Sequence, residues 1–104
     1  MAAILRKAGY PVLAAADGAS ALEVAATYPG PIGLLITDVA MPAMPGPELA
    51  NRFAPVRPDS RVLFISGFAD STARAAIKKQ PQAEYLHKPF SAGELLRRVQ
   101  AMVG

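Results

Sequence analysis

The stretch Leu34-Leu35-Ile36-Thr37-Asp38-Val39-Ala40-Met41-Pro42 decides the fold of this 104-residue chain. It opens with a continuous apolar run, the pattern of a parallel strand covered on both faces. A carboxylate follows at Asp38. The next segment, Met41-Pro42-Ala43-Met44-Pro45-Gly46, holds too many ring-locked residues for regular structure, and Pro47 with Glu48 suits a first helical turn running on to about Phe53. The same grammar recurs downstream. Val62-Leu63-Phe64-Ile65 is a buried strand ending at Ser66, and Ala83-Glu84-Tyr85-Leu86 is a shorter edge strand, where the one charge at Glu84 is tolerated, followed by His87 and Lys88. In a parallel sheet all strand C-termini open on one edge, where open α/β sheets bind ligands. Asp38, Ser66 and Lys88 are therefore expected to meet there. A carboxylate, a hydroxyl and an ammonium suit a small phosphoryl group: the carboxylate oxygen attacks phosphorus while the other two contact the oxygens on which charge develops.

Working outward, Ile4, Leu5 and Ala8 before Gly9 fit the last turns of a helix closed by a C-terminal glycine. Val12-Leu13-Ala14-Ala15 is expected as a short strand. Asp17-Gly18 caps a helix over about residues 19–26, which Tyr28-Pro29-Gly30-Pro31 ends. Arg57-Pro58-Asp59-Ser60 is a turn. A loop and helix are expected over residues 67–79, with Ala73, Ala76 and Ile77 inward and Pro81 as the stop. Ser91-Ala92-Gly93-Glu94 is a capping box opening a last helix with Leu95, Leu96, Val99 and Met102 at helical spacing. Helix and strand alternate throughout, which argues for βαβ units and a mostly parallel sheet.

The length suits one domain, and 52% hydrophobic residues are enough for a core. No run approaches the ~20 apolar residues of a membrane helix, and the first ten residues lack the pattern of a signal peptide, so a soluble protein is expected. The absence of cysteine agrees with a reducing cytoplasm. A net charge of +3 and a pI near 9.6 raise the question of nucleic acid, but the basic residues are scattered without aromatic interleaving, and solvated faces explain them better. The Met41/Met44 pair reads as packing rather than as a soft-metal site. Neither a Gly-x-x-x-x-Gly-Lys loop nor a Gly-x-Gly-x-x-Gly fingerprint follows any strand, which argues against a nucleotide-binding enzyme.

Four pieces in order and spacing resemble the response-regulator receiver domain of two-component phosphorelay signal transduction. They are residues 34–42, Met44-Pro45-Gly46-Pro47-Glu48-Leu49, Phe64-Ile65-Ser66-Gly67, and Tyr85-Leu86-His87-Lys88-Pro89-Phe90. The wording Ser66-Gly67-Phe68-Ala69-Asp70 is most similar to receivers attached to hybrid histidine kinases. The resemblance implies a flavodoxin-like, doubly wound α/β fold of strand order 2-1-3-4-5. It implies that Asp38 is the phosphoacceptor, taking a phosphoryl group from a sensor histidine kinase or phosphotransfer protein. By the same resemblance Ser66 is the switch hydroxyl, Lys88 pairs with the phosphoryl oxygens or with Asp38, and Tyr85 is the aromatic switch. Mg²⁺ would be held by Asp38 and the Ala40 carbonyl, and Lys88-Pro89 would be the peptide bond that is often cis in the family. The output would be a protein-interaction face for a downstream partner, without direct contact to nucleic acid or membrane, in a module that is not an enzyme.

Read from the residues alone, Asp38 also suits a turn or cap, Ser66 an ordinary strand-end hydroxyl, Lys88 a surface lysine, and Tyr85 either core packing or switching. His87, the only histidine, is expected to point outward with no phosphotransfer role. The resemblance covers residues 1–104 as a receiver that lacks its first, central strand, the acidic pair ending it, and the start of its first helix. Asp17, beyond the following strand, does not replace that pair. Mg²⁺ binding is accordingly expected to be weak or absent. Residues 12–15 must then pair directly with residues 34–36 or find a strand from another chain, with homo-oligomerisation as one consequence. A pseudo-receiver acting as a phosphorylation-independent interaction module is the alternative function.

Overall fold

The computed structural model describes residues 1–41, 43–67 and 83–103. The elements run α1 (Ala2–Lys7), α2 (Gly18–Thr27), β1 (Leu34–Asp38), α3 (Gly46–Phe53), β2 (Arg61–Ser66), β3 (Ala83–His87) and α4 (Ala92–Val103). The helix expected after residue 67, with Ala73, Ala76, Ile77 and Pro81, lies outside the described residues.

The three strands form a parallel sheet in the order β1-β2-β3. Pleating sends alternate residues of β2 to opposite faces. Leu63 and Ile65 join Leu5 of α1, Leu86, and Leu95, Val99 and Met102 of α4. Val62 and Phe64 face the other way, toward Val39, Ala50 of α3 and Ala83. Two cores on two faces make the sheet doubly wound. As the central strand, β2 is buried on all sides, with Leu63 and Phe64 wholly inaccessible.

One expectation fails. Residues 12–15 form no strand, and they do not pair with residues 34–36. A strand exists only through its ladder bonds. Among the described residues no strand stands beside β1 on its other edge, and Val12 packs on the α1/α4 core as a side chain while Leu13 stands exposed.

The helix boundaries follow local chemistry. At the end of α1, Gly9 adopts φ +99° and donates its N–H to the Arg6 carbonyl (3.0 Å), while Tyr10 N–H reaches Leu5 O (3.0 Å). In α4 the Glu94 N–H donates to Ser91 Oγ (3.1 Å), and the Ser91 hydroxyl meets Glu94 Oε1 at 3.4 Å, so the box closes between side chains. At α2 the Ser20 N–H donates to Asp17 Oδ1 (2.8 Å), and this bond holds the Asp17 carboxyl below its ordinary value. A lowered folded pKa contributes stability above the ordinary carboxylate range that is lost as pH falls through the folded value. Asp17→Ala is therefore expected to melt below wild type at neutral pH, with the gap narrowing below about pH 4. Thermal melts of both proteins across that range test it; a gap independent of pH would remove the charge from the account.

The turn after α3 supplies a tertiary clamp. Arg57 donates from Nε to Ala25 O (2.9 Å), from Nη1 to Gly30 O (2.7 Å) and from Nη2 to Tyr28 O (2.5 Å). These carbonyls belong to the end of α2 and the loop after it, where helical partners run out. Ser60, buried nearby, donates its hydroxyl to Ile32 O. Arg57→Ala leaves three carbonyls to be resatisfied and is expected to cost about 2–3 kcal/mol. Arg57→Lys should recover less than half of this, because one ammonium cannot span the fork. Urea denaturation measures both, and a loss within error of zero would show the clamp to be incidental.

Candidate functional site

Parallel register sets the site. Asp38 pairs with Ile65 and Ser66 with His87, so β2 reaches one residue past β1. The ladder continues beyond the formal ends: Val39 N–H donates to Ile65 O (2.9 Å) and Lys88 N–H to Ser66 O (2.7 Å). Asp38, Ser66 and Lys88 thus stand at the ends of adjacent strands, as the apolar runs foretold. Lys88 Nζ lies 3.0 Å from Asp38 Oδ1, and both side chains remain about half exposed, 51% and 44%. Ser66 is buried at the tip of the central strand. The Lys88–Pro89 peptide is cis.

Sequence reasoning missed how the acceptor strand is shaped. Thr37 is buried and donates its hydroxyl toward Asp38 O (3.1 Å) and Met41 Sδ (3.5 Å). The loop over residues 39–45 closes on itself where Gly46 N–H donates to Val39 O (2.9 Å), and Ala43 takes a left-handed φ of 67°. Gly46 sits directly against the Asp38 backbone: a Cβ there would overlap the Asp38 carbonyl oxygen and lie 3.0 Å from its carbon. The flanking Pro45 and Pro47 were the only signal in the sequence. Pro42 lies outside the described residues.

Tyr85 is half-buried against the Val62/Phe64 core, and its ring meets His87 edge-on with centroids 4.7 Å apart. Its carbonyl accepts from Arg98 Nη1 (3.1 Å). His87 is exposed. Glu84, expected as a tolerated edge charge, is held between Arg98 (3.1 Å) and Arg61 (3.7 Å).

For Mg²⁺, the named ligands are Asp38 and the Ala40 carbonyl. Among the described residues no group of three or more His, Cys, Asp or Glu side chains could hold a metal ion. One carboxylate and one carbonyl do not complete the shell of a hard octahedral cation. Receiver domains in general bind Mg²⁺ at an acidic pocket.

The family model for the response regulator receiver domain matches residues 1–100. The chain belongs to that family. This receiver domain is 38% identical over 99 residues to the response regulator receiver protein CpdR of Brucella abortus, covering 95% of this chain and 81% of CpdR. It is 33% identical to the sensor kinase CckA of the same organism, of which it spans 10%. Among solved structures, the receiver domain of the hybrid histidine kinase CckA is 36% identical with a TM-score of 0.82, covering 99% of this chain and 85% of that one. A CheY-like receiver from Methanospirillum hungatei, 24% identical, superposes with a TM-score of 0.87 and supports the flavodoxin-like fold. Receiver domains of two-component signalling are in general signalling modules rather than enzymes, and they work with histidine kinases or phosphotransfer proteins. Among the described residues no helix is long and apolar enough to cross a membrane.

Proposed function

We propose that this receiver domain accepts a phosphoryl group on Asp38 from a phosphohistidine of a sensor histidine kinase or phosphotransfer protein and uses it to switch a protein-interaction face in the cytoplasm. An Asp38 carboxylate oxygen attacks phosphorus, the P–N bond breaks, and the imidazole leaves with the bonding pair. What carries the reading is the 3.0 Å approach of Lys88 Nζ to a half-exposed Asp38, an ammonium placed where phosphoryl oxygens would arrive. The acyl phosphate carries about −1.5 to −2 charge in place of the single carboxylate charge. A unit pair at about 4 Å with effective dielectric near 20 is worth roughly 4 kcal/mol before desolvation is subtracted. A fraction of that shifts a two-state loop equilibrium severalfold, drawing Ser66 and Lys88 inward and moving Tyr85 with the β3/α4 surface. The likeness to CpdR and to the CckA receiver supports a place in a phosphorelay, for a hybrid kinase or a free regulator.

A second reading is a pseudo-receiver that binds a partner without phosphate, and it is favoured by the lack, among the described residues, of a group of three or more His, Cys, Asp or Glu side chains that could hold a metal ion. Incubation with a small phosphodonor in Mg²⁺ buffer, followed by phosphate-retarding electrophoresis, separates the two. A retarded band supports the phosphoacceptor; no band at any Mg²⁺ concentration leaves the interaction module. The same reading has Mg²⁺ bind weakly here and the apolar edge of β1, paired on one side only among the described residues, promote self-association.

A further inference from the structure

We propose that Met44 is a redox modification site through which peroxide-class oxidants loosen the loop beside Asp38 and slow its phosphorylation; the second half rests on the phosphoacceptor reading. Among the described residues, three contacts fasten the loop over residues 39–45. Its base is the Gly46 N–H bond to Val39 O. The other two are sulfur atoms: Met41 Sδ accepts from the Thr37 hydroxyl at 3.5 Å, and Met44 packs on the N-terminus of α2 so closely that a Cβ on Gly18 would lie 2.7 Å from Sδ and 3.0 Å from the Met44 Cβ. Both methionines are half-buried, within reach of a small oxidant. Met102 is sealed in the core at 5% exposure, and Met1 is the exposed first residue.

The two sulfurs respond differently to the same chemistry. Peroxide transfers one oxygen to a thioether, the O–O bond breaking as the sulfur lone pair forms the S–O bond, and water leaves; the sulfur is oxidised and the peroxide reduced. The product is a polar, chiral sulfoxide. At Met41 the new oxygen is a stronger acceptor for the Thr37 hydroxyl already pointing at the sulfur, so that fastening survives. At Met44 the sulfur abuts backbone at Gly18, leaving no room for an oxygen on that side. Sulfoxidation there must push the loop off α2. Since the loop returns to the chain at Gly46, against the Asp38 carbonyl, the displacement reaches the acceptor residue.

Titration of the chain with hydrogen peroxide, read by peptide mass spectrometry, amide exchange and phosphodonor labelling, tests this. Met44 sulfoxide should accumulate with several-fold faster exchange at the start of α2 and in the loop, and with several-fold slower labelling of Asp38. Met44→Leu should keep its exchange pattern and labelling rate under the same treatment, and Met41→Leu should respond as wild type does. Unchanged exchange in protein quantitatively oxidised at Met44, or equal sensitivity in Met44→Leu, would overturn the proposal. Absence of labelling before oxidation would defeat the phosphoacceptor reading alone, because amide exchange still decides whether Met44 controls the loop.

Discussion

Asp38→Asn is expected to abolish phosphoryl labelling while leaving the fold in place. The carboxylate supplies the anionic nucleophile. An amide of nearly the same shape can still accept a hydrogen bond from Lys88, but it offers no oxygen that would form an acyl phosphate. The Lys88–Asp38 pair is about half exposed, so its loss should change stability by only ~0–1 kcal/mol. The separation between total loss of labelling and an almost unchanged melt is the signature sought. Phosphate-retarding electrophoresis and a thermal melt on the same sample provide it. Labelling that persists in Asp38→Asn would place the acceptor on another residue, and a collapsed melt would make the variant uninformative about chemistry, in which case Asp38→Glu melts and labelling would decide.

Gly46→Ala is expected to be the most damaging single methyl group that can be added near the site. The new Cβ would meet the Asp38 carbonyl oxygen, the Asp38 carbon at 3.0 Å and Val39 Cα at 3.2 Å, all of them backbone. Flexible side chains can swing aside; a strand end tied to Ile65 and a helix N-terminus tied to Val39 cannot. Overpacking of this kind costs about 3 kcal/mol, a large share of the roughly 5–15 kcal/mol that holds a domain together. For a domain of this size the melting temperature should fall by roughly 12–24 °C. Relief comes only by shifting Asp38, so labelling should fall as well. Gly67→Ala is the control, since a Cβ there meets nothing within 4 Å. Equal melting temperatures for the two alanine variants would show that the tight approach of α3 to the acceptor strand does not matter.

Much of the molecule was legible because its signals are local. The apolar runs at residues 34–36 and 62–65 became β1 and β2, and the weaker run at residues 83–86 became β3 despite Glu84. Gly9, Asp17, Pro47 and Ser91 marked helix ends correctly, since each acts on backbone groups a few residues away. Residues 12–15 misled because β propensity describes a surface that fits a neighbour, and no described strand stands beside them. Glu84 read as a tolerated charge; its two arginine partners come from β2 and α4, at distances in sequence that no pattern reports.

The strands and the polar residue at each strand tip were thus written in the sequence, because periodicity, punctuation by proline and glycine, and capping are short-range effects, while strand order came from the resemblance to receivers. How those tips are held was a tertiary outcome. The close seat of Gly46 under Asp38, the Arg57 fork across three carbonyls and the sulfur contacts of Met41 and Met44 each join segments brought near one another only by packing. Whether a backbone or a thioether fits in such a place depends on fractions of an ångström set by the whole core, and a linear pattern does not carry that information.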